Sequence, residues 1–482
     1  MRDLRPIIFI EGVFVLFVSL LMLAPALTDG LAGNPDWKVF LVSAGVAMAI
    51  GGLMVASSGG QPLRLDIRQG FFLTTTSWIL ISAIAAVPFV FANLRLGYTD
   101  AFFEAMSGLT TTGSTVLSGL DHMPPGILLW RSMLQWIGGI GIIVTAVALL
   151  PFLRVGGMQL FRMESSDTSE KILPRAGQIA GAISLIYLLL TLSCAVMYDL
   201  AGMTPFEAIN HAMTTISTGG FSTSDASMGH FNSLTIQWIS VLFMLLGSLP
   251  FALYVRALKG GWRDLAGNSQ VRVFLTFLSL VILGLSCWVL QVDNLDLPEA
   301  VTLVAFNVVS VVTTTGYAST DYTLWGTLPV IAFLILTFVG GCTGSTSGAI
   351  KIFRFEMMYR IVRRQLHLMM SPRDIKILTY GSRELPDDVI RSVGVFVFQF
   401  AFITILLSLM LSLTGLDLVT SFTGAATAMA NVGPGLGEII GPAGNFASLP
   451  DSAKWILSAG MLIGRLEILT VLVLLSPTFW RP

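Results

Sequence analysis

Ten apolar runs, each near the length a bilayer demands, decide most of what this chain can become. They lie near 7–27, 39–57, 71–92, 127–153, 177–200, 232–255, 271–291, 326–350, 390–413 and 454–475. A helix needs about 20 apolar residues to cross the hydrocarbon core. Only 11% of residues are charged and 54% are hydrophobic, with a mean hydropathy of +0.80. A soluble domain carries about 25% charged residues, so a water-soluble globule is excluded. The first run follows Arg2 and Arg5 and is long, whereas a cleaved signal peptide needs a short apolar core and a small-residue cleavage site, so it reads as an uncleaved span. A net charge of -1 offers no basic face to nucleic acid. Cys194, Cys287 and Cys342 sit in apolar or small-residue stretches without metal or redox spacing. They read as buried small hydrophobes.

Four shorter stretches, near 100–112, 205–218, 298–315 and 418–432, are too short or too polar to cross alone. Each leads into a related string. The four are Thr110-Thr111-Thr112-Gly113-Ser114-Thr115, Ile216-Ser217-Thr218-Gly219-Gly220-Phe221, Thr313-Thr314-Thr315-Gly316-Tyr317-Ala318 and Ala430-Asn431-Val432-Gly433-Pro434-Gly435. Gly113, Gly219, Gly316 and Gly433 are 106, 97 and 117 residues apart. That interval suits two spans with a segment dipping between them, and is far longer than a solenoid repeat. The expected architecture is an all-α polytopic membrane protein. Two extra helices fill 1–60, and four membrane-pore-membrane repeats follow at 61–155, 170–258, 268–366 and 388–482, arranged around a pseudo-fourfold pore. Nine residues before each glycine stand Glu104, Asn210, Asn307 and Gly424. Three of these are polar, and hydrogen bonds from them to the adjoining loop are expected to hold each short helix in place.

Loop charges set the orientation. One side holds Arg64 and Arg68; Arg154, Arg162, Lys171 and Arg175; Arg256, Lys259, Arg263 and Arg272; and the run from Lys351 to Arg391. The other has Lys38, Arg95, Arg131 and Lys454 among acids such as Asp121, Asp293, Asp296 and Asp321. The basic side reads as cytoplasmic, with both termini there and the four Thr/Gly loops in the outer half of the membrane. Irregular backbone at that depth is tolerated only inside protein or around a water-filled cavity. Four such loops on one axis line a pore whose carbonyls replace a cation's hydration shell. The loops carry no ring of carboxylates, which favours a monovalent ion over a divalent one.

With these loops in view, the chain resembles the Trk-type potassium uptake proteins, the TrkH branch of the TrkH/KtrB/HKT superfamily. Thr315-Gly316-Tyr317 and Val432-Gly433-Pro434-Gly435 look like degraded copies of the potassium-channel TVGYG filter, and the two extra spans in 7–57 favour the TrkH branch. The resemblance covers nearly the whole chain. It implies potassium as the transported ion, a bacterial inner-membrane location, and a filter built from Thr111, Thr112 and Gly113; Ser217, Thr218 and Gly219; Thr314, Thr315 and Gly316; and Asn431, Val432 and Gly433. After the shared glycine come Ser114, Gly220, Tyr317 and Pro434. The outermost carbonyl ring is therefore irregular, and potassium-over-sodium discrimination should be less strict than in a fourfold channel.

The run at 326–350 is interrupted by Gly340-Gly341-Cys342-Thr343-Gly344-Ser345-Thr346-Ser347-Gly348. Each glycine costs a helix about 1 kcal/mol relative to alanine, so this segment unwinds, and the helical pattern resumes at Ile350 and Lys351. It is placed to lie across the path below the loops. The resemblance implies that 340–348 is an intramembrane gate; a close helix-packing surface and an anion-holding nest are the other readings. Arg465 lies about midway along the last run, beside Glu467. It reads as a cation lining the pore, matching an arginine of the family, or as half of an internal bridge to a carboxylate. Arg131 and Glu11, near span ends, read as snorkelling side chains without a role.

The basic run from Lys351 to Arg391 reads as a lipid-facing or docking surface. No dinucleotide fingerprint occurs in the chain. The resemblance implies a separate cytoplasmic nucleotide-binding ring, TrkA-like, and a homodimer. An enzyme would need a nucleophile with its base or a metal cluster. His122, His211, His230 and His367 are scattered, so neither catalysis nor an organic cofactor is expected, and His211 reads as a packed helix residue. Proton- or sodium-coupled symport on the same fold stays open.

Overall fold

The computed structural model describes residues 3–59, 65–94, 96–148, 172–258, 260–292, 295–374, 378–380, 383–385 and 387–481. Arg64, Arg95, Arg154, Arg162, Lys171 and Lys259, on which part of the charge asymmetry rests, lie outside them, as does the end of the fourth apolar run. Two bent or straight apolar helices begin the chain: α1 (Arg5–Leu21) continuing into α2 (Leu23–Leu31), then α3 (Trp37–Ser57). The first repeat is α4 (Ile67–Ala85) with α5 (Val87–Phe91), the short α6 (Tyr98–Leu109), and α7 (Pro125–Ala148). The second is α8 (Ile172–Leu200), α9 (Pro205–Ile216), α10 (Leu234–Ser248) and α11 (Phe251–Leu258). The third is α12 (Ser269–Val292), α13 (Leu297–Val312), α14 (Thr327–Thr337) and α15 (Ile352–Met370). The fourth is α16 (Asp387–Ser412), α17 (Leu418–Ala430), α18 (Asp451–Arg465) and α19 (Leu469–Leu475).

Among the described residues seven helices are long and apolar enough to cross a membrane, or nine if each bent pair counts once. Large apolar side chains such as Leu192, Leu280, Phe398 and Leu409 face outward, where acyl chains would cover them. Cys287 on α12 is also exposed, unlike the buried Cys194 and Cys342, so the expectation of three buried cysteines is corrected at that position. The helix faces lipid there, and sulfur is apolar enough to sit in it.

The short helices begin where local chemistry places them. Thr204 and Glu207 form a capping box at α9, and Pro205 fills a first-turn site whose N–H has no partner in any case. Asp417 accepts from the N–H groups of Val419 and Thr420 at α17. The Thr420 hydroxyl first, then the Thr420 and Val419 N–H groups, hold the Asp417 carboxyl below the usual range.

Second helices break more often than the sequence suggests. Between α10 and α11 the chain turns by 91° at Pro250, and between α18 and α19 by 115°; the runs at 232–255 and 454–475 are therefore bent pairs, not single spans. Proline removes a helical N–H and constrains the residue before it. At the second bend, Glu467 and Ile468 have φ of 56° and 50°. The third break holds as expected, but helix resumes at Ile352: Ile350 and Lys351 pair in parallel with Val339 and Gly340 instead.

The N-terminal pair packs backbone against backbone. A Cβ on Gly12 or Gly51 would run into the other's carbonyl oxygen, the close approach small residues permit. Glu11 does not snorkel: it is buried and accepts a hydrogen bond from Thr76 of α4, docking α1 on the first repeat. Asp29 of α2 accepts from the Gly126 N–H at the start of α7 at 2.7 Å.

Candidate functional site

Each short helix ends in the same way. The N–H groups of Thr112, Gly219, Thr315 and Val432 reach back five residues to Ser107, Thr214, Ser310 and Thr427 at 2.9, 2.9, 2.8 and 3.2 Å. The residue before each donor is left-handed: Thr111, Thr218, Thr314 and Asn431 have φ of 53°, 51°, 60° and 55°. This is the Schellman termination, usually built on glycine. Two residues further on, Gly113, Gly220, Gly316 and Gly433 are left-handed as well. Left-handed residues at alternate positions turn successive peptide planes the same way, so that carbonyls share one side of the strand instead of alternating as in a sheet.

The second loop therefore lies one residue out of the register expected from sequence. Gly220 is the counterpart of Gly113, Gly316 and Gly433, while Gly219 matches Thr112, Thr315 and Val432. Ser217 falls in the cap with Thr110, Thr313 and Ala430. After the glycine come Ser114, Phe221, Tyr317 and Pro434, so Gly220 is not the outer residue of its loop. With consecutive glycines either register fits the string, and only the helix end decides.

The loops close into a ring. A Cβ built on Gly113 would come within 3.0 Å of the Gly219 carbonyl oxygen; Gly220 stands so to Thr315, Gly316 to Val432, and Gly433 to Thr112. The order runs first, second, third, fourth and back to first. All four left-handed glycines line one open cavity of about 170 Å³. Its rim includes Ser224 and Asp225 beside Asp121. The Ser224 hydroxyl holds the Asp121 carboxyl below the usual range, with the Asp225 N–H helping.

The register also relocates the polar residue that anchors each loop. Glu104 accepts from the Thr115 hydroxyl (3.0 and 3.1 Å) and the Val116 N–H (2.9 Å). Asn307 accepts from the Ser319 N–H (3.2 Å) and donates to its hydroxyl (2.9 Å). In the second repeat the anchor is His211, whose Nε2 meets Ser222 Oγ at 3.0 Å, and not Asn210, which donates to Phe206 within its own helix. His211 is packed and hydrogen-bonded, as read from the sequence. Gly424 has no side chain, and its neighbour Thr423 takes the Leu436 N–H at 3.1 Å.

Arg131 is fully buried, which overturns the snorkelling reading. Its Nε lies 2.7 Å from Glu104 Oε1, and its Nη groups donate to Thr115 Oγ1 and the Ser222 carbonyl. Gln135, one turn on, donates to the Gly219 carbonyl (2.6 Å) and accepts from the Phe221 N–H (3.0 Å). Sequence alone marked neither; a lone arginine in the first third of an apolar run has a ready interfacial explanation.

Segment 340–348 sits directly against the inner ends of the loops. Thr346 Oγ1 meets Thr218 Oγ1 (3.1 Å) and donates to Gly247 O (2.9 Å). The Gly348 N–H donates to Thr314 Oγ1 (2.7 Å), and the Ala349 N–H to Ala430 O (2.8 Å). Cys342 N–H and Ser347 Oγ hold Ser248 at the Pro250 bend. Gly340 and Gly341 give the close approach: a Cβ on either would strike Gly348 O or the Ser347 and Ser248 atoms. Thr343, Gly344 and Ser345 line a cavity of about 70 Å³ on the far side, with Lys351, Arg354, Arg465 and Glu467. Arg465 stands at the C-terminal end of α18, not in mid-span. It is 4% exposed and donates to Thr346 O at 2.9 Å, with Gly138 O at 3.5 Å. The carboxylate bridge is not formed: Glu467 pairs with Arg354 at 2.7 Å.

Comparisons with known proteins agree with this architecture. The sequence model of the TrkH cation transport proteins matches residues 38–481. The chain is 49% identical to the Trk system potassium uptake protein TrkI of Halomonas elongata, over 100% of this chain and 98% of that protein. It is 39% identical to the Trk system potassium uptake protein TrkH of Escherichia coli, over 99% of each. The crystal structure of the potassium transporter TrkH from Vibrio parahaemolyticus superposes with a TM-score of 0.92 at 37% identity, covering 100% of both chains. A helical polytopic scaffold, four re-entrant loops and a match over nearly the full length lead to one conclusion: the chain belongs to the TrkH family of cation transport proteins.

Proposed function

We propose that the chain takes up potassium across the bacterial inner membrane through the ring of four loops. The observation that carries this is the closed ring itself, with four equivalent left-handed glycines around one cavity. Carbonyls of Thr112, Gly219, Thr315 and Val432 and of the glycines after them stand in for water around the ion. Beneath them the Thr111, Thr218 and Thr314 hydroxyls and the Asn431 amide form an inner tier. Thr111 Oγ1 and Asn431 Oδ1 are buried without a hydrogen-bond partner, a costly state for oxygens unless a cation uses them. Named relatives are potassium uptake proteins.

Segment 340–348 acts as the gate. Its bonds to Thr218 and Thr314 occupy two of the three inner-tier hydroxyls, so permeation requires their release. Arg465 holds the Thr346 carbonyl and places a positive charge below the ring, opposing leak. Both termini face the cytoplasm, where a nucleotide-binding ring docks on the basic surface of a homodimer; this part extends the family likeness. The test is radioactive rubidium uptake into proteoliposomes with sodium as competitor. Rubidium uptake that potassium suppresses at far lower concentration than sodium supports the reading. Absent uptake, or equal suppression by both ions, refutes it.

A further inference from the structure

We propose that Arg131 is a positioning residue for ion selectivity. It touches no ion but fixes the distance between the first and second loops. The inference rests on the reading of the loops as a filter.

The residue after each left-handed glycine braces its loop toward the preceding repeat in the ring. Ser114 donates to Gly433 O at 2.8 Å. The Tyr317 hydroxyl meets Thr214 Oγ1 (2.5 Å) and donates to His211 O (3.2 Å). Pro434 lies against Gly316. The second loop offers Phe221, which has no hydroxyl. Its ring instead lies under the Arg131 guanidinium, 4.2 Å from centroid to Cζ. One planar fork thus meets the first loop at Thr115 Oγ1 (3.1 Å) and the second at Ser222 O (3.0 Å). Both acceptors lie two residues beyond the loop glycine. Glu104 completes the fork at 2.7 Å and itself ties Thr115 and Val116.

An arginine suits this place for two reasons. Its donors are fixed and spread in a plane, so they hold three acceptors at set separations, whereas an ammonium is a compact charge whose three donors rotate. Its charge would repel a cation in the ring, but Glu104 neutralises it at contact distance, so the pair supplies geometry without a lasting field. Both side chains are almost fully enclosed, at 1% and 0% exposure. Without this tie either loop could shift, and a ring no longer held at the larger ion's radius can close around the smaller one.

The experiment compares wild type, Arg131→Lys and Thr115→Val in proteoliposomes. Each is assayed for radioactive rubidium uptake, for the sodium concentration that halves it, and for melting temperature. Arg131→Lys keeps the charge and loses the fork; Thr115→Val removes the hydroxyl shared by Arg131 and Glu104. The expected result is folded protein with residual uptake in which the halving sodium concentration falls about tenfold, the worth of one charge-assisted hydrogen bond. A folded variant with the wild-type sodium profile overturns the proposal, as does a lowered melting temperature with that profile intact. If Arg131→Lys fails to fold, Thr115→Val decides by the same reading. Wild type that fails to prefer potassium removes the filter reading itself, a result separable from an unaltered variant.

Discussion

Thr111, Thr218 and Thr314 hold left-handed backbone that costs an L-residue about 1–2 kcal/mol and a β-branched one no less. The compensation is placement: each puts a hydroxyl beneath the carbonyls at a helix terminus that glycine would have formed without strain. Gly220 has the opposite need, since its φ is 79° and its missing Cβ makes room for the Thr315 carbonyl. Gly220→Ala is expected to abolish rubidium uptake. Gly219→Ala meets the Gln135 side chain instead and is expected to leave measurable uptake with a loss of about 1–2 kcal/mol in stability from the disturbed Gln135 hydrogen bonds. Uptake and thermal melting of the pair check this; the reverse ranking would restore the sequence register. That register was the least legible part of the site. In three loops the glycine singled out from sequence is the left-handed one, whereas Gly219-Gly220 fits both ways. The anchors followed the same error, so Glu104 and Asn307 were found and His211 was passed over for Asn210. Arg131 reads as a snorkelling side chain in sequence because burial is a tertiary fact, and its first-third position on an apolar run suits a membrane-interface side chain equally well.

The helical elements were read well as wholes and poorly at their breaks. Periodicity and length gave the order of spans and dipping segments, and the Gly/Ser/Thr density of 340–348 announced its own unwinding. Pro250 was visible too, but a proline in an apolar run can kink a helix gently or turn it by 91°. What settles the sharp turn is the Gly344 carbonyl receiving the Phe251 N–H at 3.0 Å. Nothing local marks the bend at 466–468. There Gly464 closes on the Met429 carbonyl within the fourth repeat and Glu467 is drawn to Arg354 of the third, contacts too distant in sequence for any local window to contain. The unwound segment makes its own forecast. Removing three residues from 343–347 would strip Thr346 from Thr218 and shorten the span that reaches Thr314. Passive rubidium leak is then expected to rise at least several-fold, while circular dichroism stays helical. An unchanged leak in folded protein would assign the segment to packing.

Taken as a whole, the molecule is four similar units closed on themselves and tied at a last seam. There Asn431 donates to Thr112 Oγ1 at 2.9 Å, and Lys454 pairs with Asp100 at 2.5 Å. An ion held by all four units binds only the folded form, so potassium should raise the melting temperature with the logarithm of its concentration above the dissociation constant. A ligand at one hundred times its dissociation constant contributes about 2.7 kcal/mol. Titrating melting temperature with potassium and with sodium checks this, and equal shifts for both would deny the ring its preference. Because the units are joined in one chain, a single codon alters one quadrant and spares three. A homotetramer changes its filter in multiples of four. If the ring is the proposed filter, ionic preference could shift by quarter steps, each inheriting the tolerance of the untouched remainder, and four different residues, Ser114, Phe221, Tyr317 and Pro434, already follow the four glycines.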